Sequence, residues 1–269
     1  QAISSSGLGS PAVLDRTAFA GIAKINLKPL GDSETTSLKL VTDRWLKEIN
    51  QSKESKFFTL LHYDPPINEV NPTESSEINN RFLRNNDVSH NLEVLRYTQS
   101  IREVDKEIGR LIKTIKERDL LKNTILILTS DHGYELDDYQ ENYYGHSSNY
   151  SPAQTRVPLR IIWPSKASKK YSFRSSHHDI APTLMKEVLG CSNDYSDYST
   201  GNSLFDQKPW SYLIAGSYDS FSVLTDKKII TSYGAYFEVR DENYNLTKIE
   251  DSDYKDLEDA ISDMSEYYK

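Results

Sequence analysis

A junction near the middle of the chain constrains its fold more than any other feature. From Leu92 to Arg118, apolar Leu95, Ile101, Val104, Ile108, Leu111, Ile112 and Ile115 recur at helical spacing between charged residues. A short polar turn, Asp119 to Asn123, then delivers the chain into Thr124-Ile125-Leu126-Ile127-Leu128-Thr129. Six uncharged residues in a row read as a strand covered on both faces, the pattern of a parallel sheet rather than a half-exposed alternating one. Helix, tight turn and buried strand make half of a β-α-β unit, and the apolar run Phe57 to Leu61 supplies the other half. Upstream, Leu38, Val41, Trp45 and Ile49 fall in helical register and predict an amphipathic helix over Thr36–Ile49.

A third apolar run, Val157 to Trp163, is stopped by Pro164, and a helix from Ile180 to Leu189 is closed by Gly190. From Tyr212 the period shortens: Tyr212–Ala215, Phe221–Leu224, Lys228–Thr231 and Tyr236–Val239 read as a small antiparallel sheet. A last helix carries Leu257, Ile261 and Met264. The predicted class is therefore α/β: a mainly parallel sheet holding Phe57–Leu61, Thr124–Leu128 and Arg160–Trp163, flanked by helices, with a small C-terminal antiparallel sheet. Residues 1–205 are assigned to the α/β domain, and residues 206–269 to a sheet and terminal helix packed on it.

Composition removes several functions. The net charge of −8, with Lys and Arg interspersed among acids, argues against nucleic acid as a partner and against a polybasic membrane patch. The lone Cys191 cannot form an intramolecular disulfide, and that count does not decide the compartment. No run of 18 apolar residues spans a bilayer. The Ser/Gly-rich opening, Gln1 to Pro11, reads as the middle of a longer chain, so an anchor or export signal is expected upstream. There is no Gly-x-Ser-x-Gly elbow and no P-loop.

Ligands of open α/β sheets gather beyond the carboxyl ends of strands. Two strands end in histidine or aspartate here: one at His62-Tyr63-Asp64, the other at Ser130-Asp131-His132-Gly133, whose loop returns through Gly145-His146. A carboxylate beside an imidazole suits Zn or Mn, with Ca or Mg as harder alternatives; an Asp-His-Gly after a strand is otherwise a capped turn. His177-His178-Asp179 looks like a ligand cluster, but Ser176 or Asp179 capping the next helix is the better reading. Glu135, Asp137 and Asp138 are read as solvated acids of a polar loop, and His90 as a surface residue. Tyr134, Tyr139, Tyr143, Tyr144 and Tyr150 either stack on a sugar or lipid headgroup or pack their own loop.

Larger blocks carry a family resemblance. They are Tyr97-Thr98-Gln99-Ser100-Ile101-Arg102-Glu103-Val104-Asp105 with its continuation to Leu111, Thr129-Ser130-Asp131-His132-Gly133, Gly145-His146, Thr155-Arg156-Val157-Pro158-Leu159 and His178-Asp179-Ile180-Ala181-Pro182-Thr183-Leu184. In order and spacing, from Phe57 to Phe205, they resemble the sulfatase and alkaline-phosphatase-like superfamily. Asn142-Tyr143-Tyr144-Gly145-His146-Ser147 and Thr200-Gly201-Asn202-Ser203-Leu204-Phe205 are most similar to its YejM/PbgA group of Gram-negative inner-membrane proteins. The resemblance implies a metal-dependent hydrolase or transferase of phosphate or sulfate esters. Asp131 and His132 correspond to the metal pair, and His146 to the histidine facing the substrate's oxygens. A histidine of the relatives' first strand loop is replaced by Pro66, and His62 is the candidate substitute. The nucleophile matches nothing in this chain and is expected upstream. The resemblance further implies a periplasmic domain of an inner-membrane protein, reaching the membrane through an upstream segment, with an ester or lipid headgroup as partner and a link to lipopolysaccharide balance. A catalytically inactive lipid-binding regulator on the same fold is the alternative.

Overall fold

The computed structural model describes residues 2–4, 34–51, 56–65, 82–147, 149–217 and 219–266. By contact it divides into two units, residues 1–125 and 126–269.

In the first unit, α1 (Glu34–Gln51) and α2 (Val88–Glu117) follow the two amphipathic patterns. Val41 and Trp45 of α1 lock against Leu111 and Ile115 of α2, each pair set four apart so that both side chains share one face. Leu61, Tyr63, Leu120 and Leu121 close this core. Burying each large apolar side chain contributes roughly 1.5–3 kcal/mol. Arg110 reinforces the helix pair, donating to Asp43 at 2.7 Å and to the Lys39 carbonyl at 3.0 Å. The Tyr63 hydroxyl lies 2.8 Å from Thr42 Oγ1, and burial pushes its pKa up to about 12. Asp87 caps α2 by accepting from the His90 amide. His90 itself is not at the surface: it is buried, with Nε2 3.0 Å from the Phe82 carbonyl, because the first helical turn folds its ring back onto the preceding segment.

Strand β1 (Ala2–Ser4) pairs in parallel with β2 (Leu60–His62). The second strand is shorter than the apolar run that predicts it, and Phe57, Phe58 and Leu60 are exposed rather than covered. Apolar continuity marks a strand; it does not guarantee a layer on each face. Pro66 lies outside the described residues.

The second unit opens with β3 (Leu126–Thr129), which pairs with β6 (Leu159–Ile162). Parallel pairing of β3 and β6 is the expectation that fails. The pair is antiparallel, with Thr129 opposite Leu159, and β2 and β3 belong to different hydrogen-bonded pairs. The reason lies in the connection. A parallel return needs a crossover, usually a helix, that carries the chain back to the strand's starting edge. Among its described residues, the segment between β3 and β6 holds only the ribbon β4 (Glu135–Leu136) and β5 (Tyr144–Gly145) and one turn of helix, α3 (Pro152–Thr155). It therefore stays at the end where β3 finishes.

The helix predicted before Gly190 is α4 (Ile180–Glu187), and Gly190, at φ +67°, donates to the Lys186 carbonyl. Beyond it, β7 (Tyr212–Gly216), β8 (Phe221–Thr225), β9 (Lys228–Ser232) and β10 (Phe237–Asp241) form the expected antiparallel meander. Val223, Ile230 and Val239 alternate onto one face and meet Ala260 of α5 (Asp251–Glu266). Lys228 binds both Glu250 and the buried Asp253, fixing the start of that helix against β9. No described helix is long and apolar enough to cross a membrane.

Candidate functional site

Where β3 ends, the backbone turns sharply through Ser130, Asp131 and His132. Asp131 Oδ1 accepts from the His132 amide at 2.9 Å, and the Ser130 hydroxyl donates to the His132 carbonyl at 2.7 Å. Both are local side-chain-to-backbone bonds, which hold a tight bend without regular structure. Gly133 is required next: a Cβ there would lie 2.0 Å from the Ala153 carbonyl oxygen. The Gly133 amide uses that proximity to donate to the Gln154 carbonyl at 2.7 Å, fastening the turn to α3.

The loop leaves as β4, reverses, and returns as β5, with Glu135 opposite Gly145. Gly145, at φ +134°, takes a backbone form that side-chain-bearing residues rarely adopt. His146 follows it and folds back onto His132: the two rings stack with centroids 4.2 Å apart at an interplanar angle of 23°. Tyr143 donates to the His146 carbonyl, and Ser147 Oγ lies 2.7 Å from His146 Nδ1. Asp131, His132 and His146 thus come together. His62 ends β2 in the first unit and is described there.

The histidine tautomer at His132 follows from its neighbours. Nδ1 sits 2.8 Å from the Gly133 carbonyl oxygen, which only accepts, so Nδ1 carries a proton, and in the neutral ring Nε2 is the nitrogen with the lone pair. Nε2 lies 3.8 Å from Asp131 Oδ1. An ion with bonds of about 2.0–2.2 Å to nitrogen and oxygen spans such a separation, and a backbone carbonyl on the far ring nitrogen is the usual support of a ligating histidine. The donor set therefore fits a borderline metal such as Zn or Mn. Both side chains are open to solvent. Among the described residues no three His, Cys, Asp or Glu side chains form a complete metal cage.

Two acids of this loop are not solvated as their polar surroundings suggest. Asp137, at φ +57°, is buried and accepts from the Asn142 amide at 2.6 Å, pinning the ribbon's bend. Glu135 is wholly buried, and its Oε2 receives Asn149 Nδ2, Ser151 Oγ and Gln154 Nε2 at 3.0, 2.6 and 3.0 Å. Asp138 stays exposed and accepts from the Leu136 amide. Left-handed backbone recurs at Gln140, Asn142 and Ser147, a density of strain that a loop sustains only when its surroundings fix it.

The C-terminal sheet provides that fixing. Tyr150 is buried with Ile229 and Tyr244, and its hydroxyl donates to the Ser220 carbonyl at 2.7 Å. Tyr139 packs on Tyr244, with ring centroids 4.8 Å apart. Arg240 lies over the Tyr244 ring and pairs with Glu141 and Glu238; burial works to lower its pKa, but these carboxylates hold it above the ordinary value. Burial also raises the Tyr139 and Tyr150 phenols, with Asp138 and Glu135 adding to the rise at Tyr139. They stay protonated at neutral pH. At least these two tyrosines pack the loop.

The block at His177–Asp179 is structural, as its capping pattern predicts. Ser176 accepts from the His178 amide and Asp179 from the Ser176 amide, a complete capping box. The buried Asp179 also accepts from the Asn202 amide and the Trp210 indole. One detail is new: His177 Nε2 lies 3.3 Å from Thr129 Oγ1, so this ring reaches the end of β3. Nothing in the sequence marked His177 over His178 for that contact, nor Gln154 for its place under the turn.

The sulfatase family model matches residues 9–190 of this chain. Among curated proteins, the inner membrane protein YejM of Salmonella typhimurium is 30% identical over 112 residues, which are 42% of this chain and 18% of that protein. Arylsulfatase K of Canis lupus familiaris is 37% identical over 84 residues, 31% of this chain and 15% of that one. The chain thus matches less than a fifth of the length of either relative. Among solved structures, the phosphonate monoester hydrolase of Silicibacter pomeroyi superposes with a TM-score of 0.64 at 17% identity, covering 87% of this chain and 60% of its own. That likeness gives the fold: α/β, of the alkaline-phosphatase type.

Proposed function

The chain belongs to the sulfatase family, and from that premise we propose that its protein is a metal-dependent hydrolase or transferase of phosphate or sulfate esters. One observation carries the reading: at the end of β3 the His132 ring stacks on His146 and its Nε2 lies 3.8 Å from Asp131 Oδ1. Asp131 and His132 would hold the ion, and a bound ion supplies Lewis-acid polarisation of the ester oxygen and a lowered pKa for the attacking group. His132 donates Nδ1–H to the Gly133 carbonyl, which fixes its ring and leaves Nε2 for ligation. His146, stacked on His132 and held by Tyr143 through its carbonyl, presents its ring for the ester's non-bridging oxygens and balances their charge as the bond breaks.

The likeness to YejM supports a place for the whole protein at a bacterial inner membrane, with this domain in the periplasm and an envelope lipid or lipopolysaccharide-related headgroup as the ester. In the full-length protein, His146→Ala is expected to lower turnover of an aryl phosphate or aryl sulfate ester about a hundredfold while leaving metal content unchanged. Equal turnover in wild type and variant removes His146 from the reaction. A wild-type protein that binds lipid but hydrolyses no ester is instead a regulator built on the same fold.

A further inference from the structure

We infer that Gln154, with Glu135 beneath it, is the positioning residue that sets the His132–His146 pair. The inference rests on the hydrolase reading for its purpose but not for its geometry. Gln154 is buried and uses three of its polar groups on three segments of the site. Its backbone carbonyl accepts from the Gly133 amide at 2.7 Å, next to His132. Its side-chain Oε1 accepts from the Ser147 amide at 2.8 Å, next to His146. Its side-chain Nε2 donates to Glu135 Oε2 at 3.0 Å and to Asn149 Oδ1 at 2.6 Å. One residue therefore grips the chain immediately after each of the two stacked histidines.

Glu135 explains why the amide is held in one orientation. With its carboxylate fully buried, Oε2 collects three donors while Oε1 has none among the described residues. An acceptor so placed forces the NH2 of Gln154 toward it and the carbonyl toward Ser147. A buried oxygen without a donor is costly, and such groups persist where the arrangement serves a site. The ladder adds a further restraint, because Glu135 stands opposite Gly145, one residue before His146.

The test reads the stack directly, without metal or ester, so its failure is separate from failure of the hydrolase reading. In NMR spectra of the full chain, ring protons of His132 and His146 carry mutual ring-current shifts. Gln154→Met, which keeps the backbone carbonyl and removes all three side-chain bonds, is expected to abolish those shifts while unfolding stays cooperative. In the full-length protein, Gln154→Met is expected to weaken Zn or Mn binding about 10–100-fold, the range for groups that orient a ligand. Unchanged ring shifts in Gln154→Met overturn the inference. Should Gln154→Met not fold, amide exchange in the unaltered chain decides. Gly133 and Ser147 are expected to be protected together, and free exchange at Ser147 overturns the inference.

Discussion

Gly133→Ala is expected to lower the unfolding midpoint by roughly 4–16 °C and to remove ester hydrolysis with it. The added Cβ would sit 2.0 Å from the Ala153 oxygen, 3.0 Å from its carbon and 3.2 Å from Gln154 Cα. All three are backbone atoms, so no side chain can swing aside, and the turn must part from α3. Overpacking of this kind costs about 1–3 kcal/mol, and the lost Gly133–Gln154 bond adds about 1 kcal/mol. At roughly 2–4 °C per kcal/mol for a chain of this size, the midpoint shift follows. Thermal unfolding followed by circular dichroism measures it. Gly109, inside α2 with nothing within 4 Å of an added Cβ, is the control. There the same substitution should stabilise by about 0.5–1 kcal/mol, because alanine loses less backbone freedom in a helix. An unperturbed Gly133→Ala protein would mean that the turn is not fastened to α3.

How much of this was legible beforehand divides along physical lines. Helices α1 and α2 were readable because one buried stripe per helix writes itself as a 3.6-residue period, and the C-terminal meander because turns and alternation set strand limits within a residue or two. Even so, Ile101 of the predicted stripe is exposed and the buried side includes Glu107, since charged residues with long stems can line a helix contact. The direction of β6 was not legible. Its Leu159–Ile162 run is apolar whichever way the strand points, and only the loop preceding it carries the answer.

The site shows the same division. Asp131, His132 and His146 were singled out from adjacency to a strand end and from motif context, both local properties, and they remain a proposal. Glu135 and Gln154 were not, because a buried polar network depends on partners 14 to 19 residues away that no period or spacing marks. Glu135 looks in sequence like Asp138, yet one is wholly buried and the other exposed. Burial of the acid is decided by whether Asn149, Ser151 and Gln154 arrive to receive it. His90 follows suit, buried by a carbonyl from the segment ahead of its helix.

The most direct test of the account is bound metal and ester hydrolysis in the full-length protein before and after Asp131→Asn. The substitution is chosen because the fold should not notice it: the side chain is exposed, and an asparagine oxygen can still accept from the His132 amide. What changes is the charge and the second carboxylate oxygen, which becomes an amide NH2. Loss of a carboxylate ligand removes several kcal/mol of charge stabilisation, so turnover should fall by about a thousandfold or more. The account predicts Zn or Mn recovered with the wild-type protein by elemental analysis, hydrolysis of an aryl phosphate or sulfate ester, and loss of both in Asp131→Asn at an unchanged unfolding temperature. A correctly folded wild-type protein that carries no metal, and an activity indifferent to Asp131→Asn, would contradict it.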